Sequence, residues 1–330
     1  MKLFTLFLAT LALFAANIYL GAVSIPASVI TDILTGGEAA RPSWAYIIWE
    51  SRVPSAITAL LSGAGLAAAG LLLQTAFRNP LAGPSILGID GGANLGVAVA
   101  MLLLGGSFAA GGYAIGGFML VIITAMLGAW AVMALLISLS QVLRSDTMLL
   151  IAGVMIGYLT SSVISLLNYG ATEEGVRSFM VWGLGSFANV TLDRLPLFAA
   201  SMCTGIALAL LLVKPLNALL LGQRYAANLG INIARTRTLL LLVTGLLTAT
   251  STAFCGPIAF IGLAVPHLAR LLLGTADHRA LLPATLLTGA ALALLCNILS
   301  TQPANTIIPI NVITPFIGAP VVIWVMMKKE

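Results

Sequence analysis

Charge is what this 330-residue chain lacks most. Only 8% of its residues are charged, against 60% that are hydrophobic, where a soluble domain carries about 25% charged residues. So little polar surface cannot cover a water-soluble globule of this length. The apolar surface must face lipid, so the chain reads as a polytopic membrane protein. Histidine is scarce too, with two in the chain. Without an acid cluster beside them, neither a catalytic triad nor a metalloprotease centre can be assembled, and no metal site is expected. The three cysteines, Cys203, Cys255 and Cys296, lie inside apolar runs and form no C-x-x-C pair. They read as small buried hydrophobes rather than a disulfide framework. The net charge of +5 says nothing for a nucleic-acid partner. In a membrane protein, Lys and Arg report which loops face the cytoplasm.

What is present is a series of apolar runs, each of the roughly 20 residues a spanning helix needs or a little shorter. They lie near 3–24, 53–74, 91–105, 113–140, 148–169, 195–213, 238–255, 257–271, 281–299 and 307–327. The fold class expected is therefore all-α, about ten transmembrane helices in one domain, 1–330. The third and eighth runs are short and start from Gly/Pro-rich segments. A further piece, 174–187, reads as a short re-entrant or surface helix on the outer face. The first run is longer than the roughly 7–15 apolar residues of a cleaved signal. It reads as a retained first helix, with a cleaved signal as the alternative.

With the N-terminus inside, the inner side receives Lys2, Arg78, Arg144, Lys214, Arg224, Arg235, Arg237, Arg270, Arg279, Lys328 and Lys329. The outer side receives only Arg41, Arg52, Arg177 and Arg194. That bias favours both termini inside. The longest polar inner segment is "LGQRYAANLGINIARTR", 221–237. It is either a solvated loop or a docking surface for a cytoplasmic partner. "TAFRNP" (75–80) echoes in "TAFCGP" (252–257), one at an inner helix end and the other at an outer one. Inverted-topology repeats produce such echoes, and so does chance.

The stretch "FRNPLAGPSILGIDGGANLG", 77–96, sets several glycines around Asp90. A phosphate cradle is one reading of such a loop. A P-loop, however, needs a Lys after its glycines, and a dinucleotide site needs G-x-G-x-x-G. Neither occurs, so no nucleotide or other cofactor is expected on this chain. Gly88, Gly92 and Gly96 recur every four residues, which on a helix makes a smooth strip for close packing. Gly112 and Gly116, Ala64 and Ala68, and Gly65 and Ala69 repeat that spacing. Such strips serve plain helix packing or line a pathway. Asn79-Pro80 and Gly83-Pro84 break the helix at the inner end of the second run. Broken backbone at membrane depth survives only inside protein or beside a wet cavity, so this break is a candidate inner mouth. Asp90 sits near a helix start, where a carboxylate suits the dipole. Asp146 lies in a turn before the fifth run. Buried acids are too few for an ion-driven carrier, so a partner must supply the energy. His267, after Pro266, reads as a structural hydrogen-bonder, and His278, in the turn "TADHRALLP", as a solvated side chain. An intramembrane enzyme using His267 is a competing reading, as is an ion-coupled secondary transporter.

Several stretches resemble the FecCD-type permease subunits of ABC importers for iron–siderophore complexes, haem and vitamin B12. They are "SRVPSAITALLSGAGLAAAGLLLQTAFRNPLAGPSILGI" (51–89), "LLIAGV" (149–154), "LGQRYAANLGI" (221–231), "CGPIAFIGLAVPHLARLLLGTADHRALLP" (255–283) and "NVITPFIGAPVVIWVM" (311–326). The resemblance runs from end to end. It implies a ten-helix, multi-pass subunit of the bacterial inner membrane, working as a homodimer in contact with lipid. Two cytoplasmic ATPase subunits dock beneath it, and they hold the ATP and Mg²⁺. A binding protein delivers ligand on the outer face, and the fifth span lines the pathway. By similarity, Arg52 pairs with a glutamate of the binding protein. Where the family often has a second arginine, this chain has Ser55. Where the family tends to an acid and an arginine at the end of span nine, it has "CNILSTQ" (296–302). Docking is then either weaker or rebuilt from other residues, such as Arg41 or Arg177. The segment 221–237 becomes the ATPase coupling segment, with Gln223, Arg224, Ala227, Leu229 and Gly230 as its contact residues. A glutamate is common in the family at Gln223. Asn79, Leu81, Asp146 and Thr147 match inner gate positions of the family's vitamin B12 importers.

Overall fold

The structure, a computed structural model, describes residues 1–37, 41–110, 113–143, 145–302 and 307–327. Arg144, Lys328, Lys329 and Gly112 lie outside the described residues. α1 (Lys2–Tyr19) is followed by short helices α2 (Ala27–Leu34) and α3 (Pro42–Tyr46). A π-helical turn, Ile47–Arg52, runs straight into α4 (Val53–Ala76). α5 (Ile89–Ala98) continues as a second π turn, Val99–Leu103, and leads to an antiparallel hairpin of β1 (Ser107–Ala110) and β2 (Tyr113–Gly116). Then come α6 (Gly117–Val142), α7 (Asp146–Gly170), α8 (Glu173–Gly183) and a 3-10 turn at Phe187–Asn189. The chain ends with α9 (Leu195–Leu211), α10 (Val213–Leu220), α11 (Gln223–Asn228), α12 (Ile233–Cys255), α13 (Ile261–Leu273), α14 (His278–Thr301) and α15 (Ile310–Met327).

Among the described residues, six helices are long and apolar enough to cross a membrane. They are α1, the continuous Pro42–Ala76, α6, α7, α12 and α14. α9 and α10 meet the test only as a pair bent by 48°. Ile89–Leu103, α13 and Ile310–Trp324 are shorter apolar helices. These are the apolar runs marked in the sequence, and the all-α class holds with one small hairpin added.

Several boundaries differ from expectation. β2 pairs with β1, so Gly116 lies in a strand and not in a helical small-residue pair. α12 starts at Ile233, capped by Asn232, whose side chain accepts from the Arg235 N–H. Arg235 and Arg237 are therefore on a long helix rather than in a loop. α13 starts only at Ile261, because Gly256 and Phe260 hold positive φ and break the chain before it. The piece 174–187 resolves into α8, capped by Thr172 through the Gly175 N–H, and the separate 3-10 turn.

α4 is buried on nearly every side and packs on α14, α12, α13 and α9. Lipid tails are as apolar as leucine, so burial alone does not hold these helices together; close backbone approach does. A Cβ at Gly63 would stand 2.3 Å from the Gly289 carbonyl oxygen, and one at Gly289 would stand 2.3 Å from that of Gly63. At Gly70 the obstacle is the Gly262 carbonyl oxygen, at 1.7 Å. Only glycine fits these crossings.

The contacts come in matched pairs. α4 packs on α14 as α12 packs on α6; α4 on α13 as α12 on α5; and α5 on α7 as α13 on α15. Exchanging α4 with α12, α5 with α13, α6 with α14 and α7 with α15 maps each of these contacts onto another. The echoed "TAF" triplets close α4 and α12 in turn. Each is followed by a break containing a non-glycine at positive φ, Arg78 (47°) and Phe260 (68°). The repeat read from six residues is therefore carried by α4–α7 and α12–α15.

Candidate functional site

The break after α4 is built by its own side chains. Asn79 Oδ1 accepts from the Leu81 N–H at 2.9 Å, an Asx-type turn that fixes the loop. His267 Nε2 donates to the Pro80 carbonyl at 2.8 Å. This bond gives His267 a structural role, in line with the plainer sequence reading. Leu81 is exposed. Thr147, in the first turn of α7, is exposed as well, and Asp146 opens that helix. The loop's far end meets α7: a Cβ at Gly153 would touch Leu87, and one at Gly88 would stand 2.8 Å from the Gly153 oxygen. Among the described residues no hydrogen bond joins Asn79 or Leu81 to Thr147.

The glycine strip sorts into two uses. Gly88 is not helical: at φ +74° it is the N-cap of α5 and faces α7. Gly92 and Gly96 face α6, where an added Cβ would stand 2.5 Å from the Gly128 oxygen and 1.9 Å from the Thr124 oxygen. All three pack helices. Asp90, in the first turn of α5, accepts from Thr252 Oγ1 at 3.0 Å and so ties α5 to α12.

The segment expected to couple to an ATPase folds as a discrete element. α11 lies between Gly222 (φ 103°) and Gly230 (φ 80°), so both its ends need glycine backbone. The Ile231 N–H returns to the Ala226 carbonyl and closes the turn. Ala226 is buried and anchors it, while Arg224, Ala227, Leu229 and Gly230 are exposed; Gln223 is half-buried. Arg78, from the broken loop, shares with Leu221–Tyr225 and Asn228 a cleft of about 560 Å³. The structure thus places the loop that carries Asn79 and Leu81 beside the segment that carries Arg224. Sequence reading had not joined them.

On the opposite side the predicted docking residues divide. Arg52 is 7% exposed. Its guanidinium donates to the Ile18 carbonyl (2.9 Å), the Tyr19 carbonyl (3.0 Å) and the Val23 carbonyl. It is committed to the end of α1 and is not presented to a partner in this conformation. Arg177 on α8 is exposed and lines a cleft of about 640 Å³ with Glu173, Met180 and Leu184. Arg41 lies over the Trp44 ring at 5.0 Å. Ser55 and Asn297, both departures from the resembled pattern, meet in the core. Asn297 Nδ2 donates to Ser55 Oγ (3.1 Å) and to Asn17 Oδ1 (2.8 Å). A neutral hydrogen-bonded triad fills this place.

A second polar cluster lies beneath α4, and it overturns the sequence reading of His278 as a solvated turn residue. Arg270 donates to Gln74 Oε1 (2.7 Å), and Gln74 Nε2 donates to the Leu263 carbonyl (3.1 Å). His278 is 1% exposed and bridges Thr75 and Asn217. Asp277 caps α14, and the Arg279 N–H followed by the Asn217 amide holds its carboxyl below the usual carboxylate range. The signal available in the sequence was "DHR", an N-cap Asp at the start of an apolar run.

Comparison with known proteins agrees with this architecture. The model of the FecCD transport family matches residues 8–328. A vitamin B12 import system permease protein, BtuC, of Klebsiella pneumoniae subsp. pneumoniae is 36% identical over 295 residues, covering 89% of this chain and 86% of that protein. The BtuC of Salmonella paratyphi A is 36% identical over 283 residues, 86% of this chain and 84% of its own. A solved structure described as an inward-facing conformation of a metal-chelate type ABC transporter superposes with a TM-score of 0.86. It is 31% identical and covers 99% of this chain and 98% of that one. With its broken helices, paired repeats and end-to-end match, this chain belongs to the FecCD transport family.

Proposed function

We infer that this chain is the membrane-spanning permease subunit of an ATP-driven ABC importer in the bacterial inner membrane, moving a metal chelate or vitamin B12 inward. The observation that carries the reading is the exposed, glycine-bounded α11 sharing a cleft with the broken end of α4. A helix held rigid at both ends and open to solvent suits a motor docking beneath a gate. The ten apolar segments are its spans, with both termini inside. Asn79, Leu81, Asp146 and Thr147 form the inner gate. ATP and Mg²⁺ belong to two partner ATPases, which seat against Gln223, Arg224, Ala227, Leu229 and Gly230. This chain itself catalyses nothing.

α7 supports the homodimer in this reading. Met148, Ile151, Met155, Tyr158, Leu159, Leu166 and Tyr169 are exposed along it, and Ser161, Ser162 and Ser165 open to the same space. A helix with so many hydroxyls and so little cover within one chain suits a pathway between two copies better than lipid. On the outer face Arg177 is the docking cation for a binding protein, with Arg41 beside it, because Arg52 is occupied. The reversal Arg224→Glu tests the assignment. Co-purification of the cognate ATPase is expected to fall about tenfold or more, as for a docked charge turned against its partner. Unchanged ATPase retention and unchanged uptake would overturn the coupling assignment.

A further inference from the structure

We propose that Asn217, His278 and Thr75 form the link that transmits motion from the ATPase-docking segment to the inner gate. They act as positioning residues and touch neither ATP nor cargo. The proposal rests on the permease reading above and names how its two ends communicate.

The link is continuous in space and scattered in sequence. Asn217 lies on α10, which runs through Gly222 into α11. His278 opens α14, and Thr75 is in the last turn of α4, a few residues before Asn79 and Leu81. Asn217 Oδ1 accepts from both the His278 N–H (2.8 Å) and the His278 ring Nδ1 (2.9 Å). Asn217 Nδ2 donates to Asp277 Oδ1 at 2.6 Å, which fixes the amide's orientation. Since Oδ1 can only accept, Nδ1 carries the proton, and in the neutral ring Nε2 accepts from Thr75 Oγ1 at 2.8 Å. Each of these atoms therefore has a single role, donor or acceptor.

Burial makes the link stiff. His278 is 1% and Thr75 4% exposed, so neither can exchange its partner for water when α10 moves. A buried polar contact that cannot be replaced forces its neighbours to move together. Around it, Gln74 is held by Arg270 and Leu263, and Pro80 by His267. The end of α4 and its loop are thus gripped from α13 and α14. Asn217 is the member that reaches the docking segment. A chain of packed polar groups between two sites becomes a route of coupling only if breaking it uncouples them.

The test reads the gate without cargo. Leu81→Cys is introduced into a Cys203→Ser background, the complex with its cognate ATPase is placed in nanodiscs, and labelling by a membrane-impermeant maleimide is timed. Trapping with ATP and vanadate is expected to change the labelling rate about tenfold with the native link. Thr75→Val, Asn217→Ala and the pair together are each expected to reduce that change to within about twofold, the double being no worse than either single. Basal ATP hydrolysis and ATPase retention stay as before. His278→Asn keeps the contact towards Asn217 and His278→Gln the one towards Thr75; both are expected to uncouple, because a link needs both ends. Thermal unfolding of Thr75→Val checks that the fold persists. Variants that keep the full nucleotide response at Leu81→Cys would overturn the link and leave the permease reading standing. Failure of the unmodified chain to retain the ATPase would overturn that reading, and the link with it.

Discussion

At Gly70 a single hydrogen atom occupies the place of a side chain because another backbone is there. The Gly262 oxygen would stand 1.7 Å from an added Cβ, and a carbonyl on a packed helix cannot rotate away. Gly70→Ala is expected to destabilise the purified protein by about 3 kcal/mol or more, at the upper end of overpacking costs. Gly170→Ala, with nothing within 4 Å, is expected to stay within about 0.5 kcal/mol. Thermal unfolding in detergent reads both. The sequence made Gly92 and Gly96 legible through their spacing. It did not reveal Gly63 or Gly70, because α4 is so rich in Ala and Gly that several strips were equally plausible. Which strip matters is decided by Gly289 and Gly262, far away in the chain. Arg52 was legible as a helix-end arginine and illegible as a clamp, since its partners are backbone carbonyls and carry no residue signature.

The helices show the same division. Their ends were largely readable: Thr172, Asn232 and Asp277 each cap the helix that follows, and proline and glycine mark most breaks. The hairpin was not readable, because "YAIGG" is apolar enough to extend a span and only pairing with Ser107–Ala110 makes it a strand. The 48° bend between α9 and α10 was also hidden, yet it is what turns α10 under the bundle and brings Asn217 to His278. α11 yields a prediction at this scale. Gly230 holds φ +80° with nothing near its Cβ, so the cost of a side chain there is conformational, roughly 1–2 kcal/mol. Gly230→Val is expected to leave thermal unfolding of the membrane bundle unchanged while weakening ATPase retention about tenfold. Binding measured against immobilised ATPase checks it; unaltered affinity would mean that the turn's shape is not what the motor reads.

For the molecule as a whole, the paired contacts describe two halves that share their helices. α4 belongs in sequence to the first half but buries itself against α14 and α13 of the second, and α12 does the converse. Hydropathy shows the apolar segments but not this exchange, because a helix's partners are set by shape. With the halves interlocked, movement is expected between α7-bearing surfaces and the gate loops rather than between halves. Few acids lie inside, and Asp90 is tied to Thr252. In proteoliposomes supplied with ATP, a protonophore is therefore expected to leave uptake of the ligand retained by the binding protein within about twofold. Collapse of uptake with the proton gradient would return the chain to the ion-coupled class.

α1 carries a consequence for how the protein is made. It is largely exposed along its length, and its side-chain polar bonds reach late segments: Thr10 donates to the Leu287 carbonyl and Asn17 to the Leu294 carbonyl. α1 thus finds its main neighbour, α14, only after the long stretch of chain between them has been synthesised. Until then Asn17 lacks its partners on α14, while Arg52, reaching back to the carbonyls of Ile18, Tyr19 and Val23, is already able to hold the end of α1. The arginine that the family resemblance assigned to a partner protein holds the end of α1 in place ahead of α14.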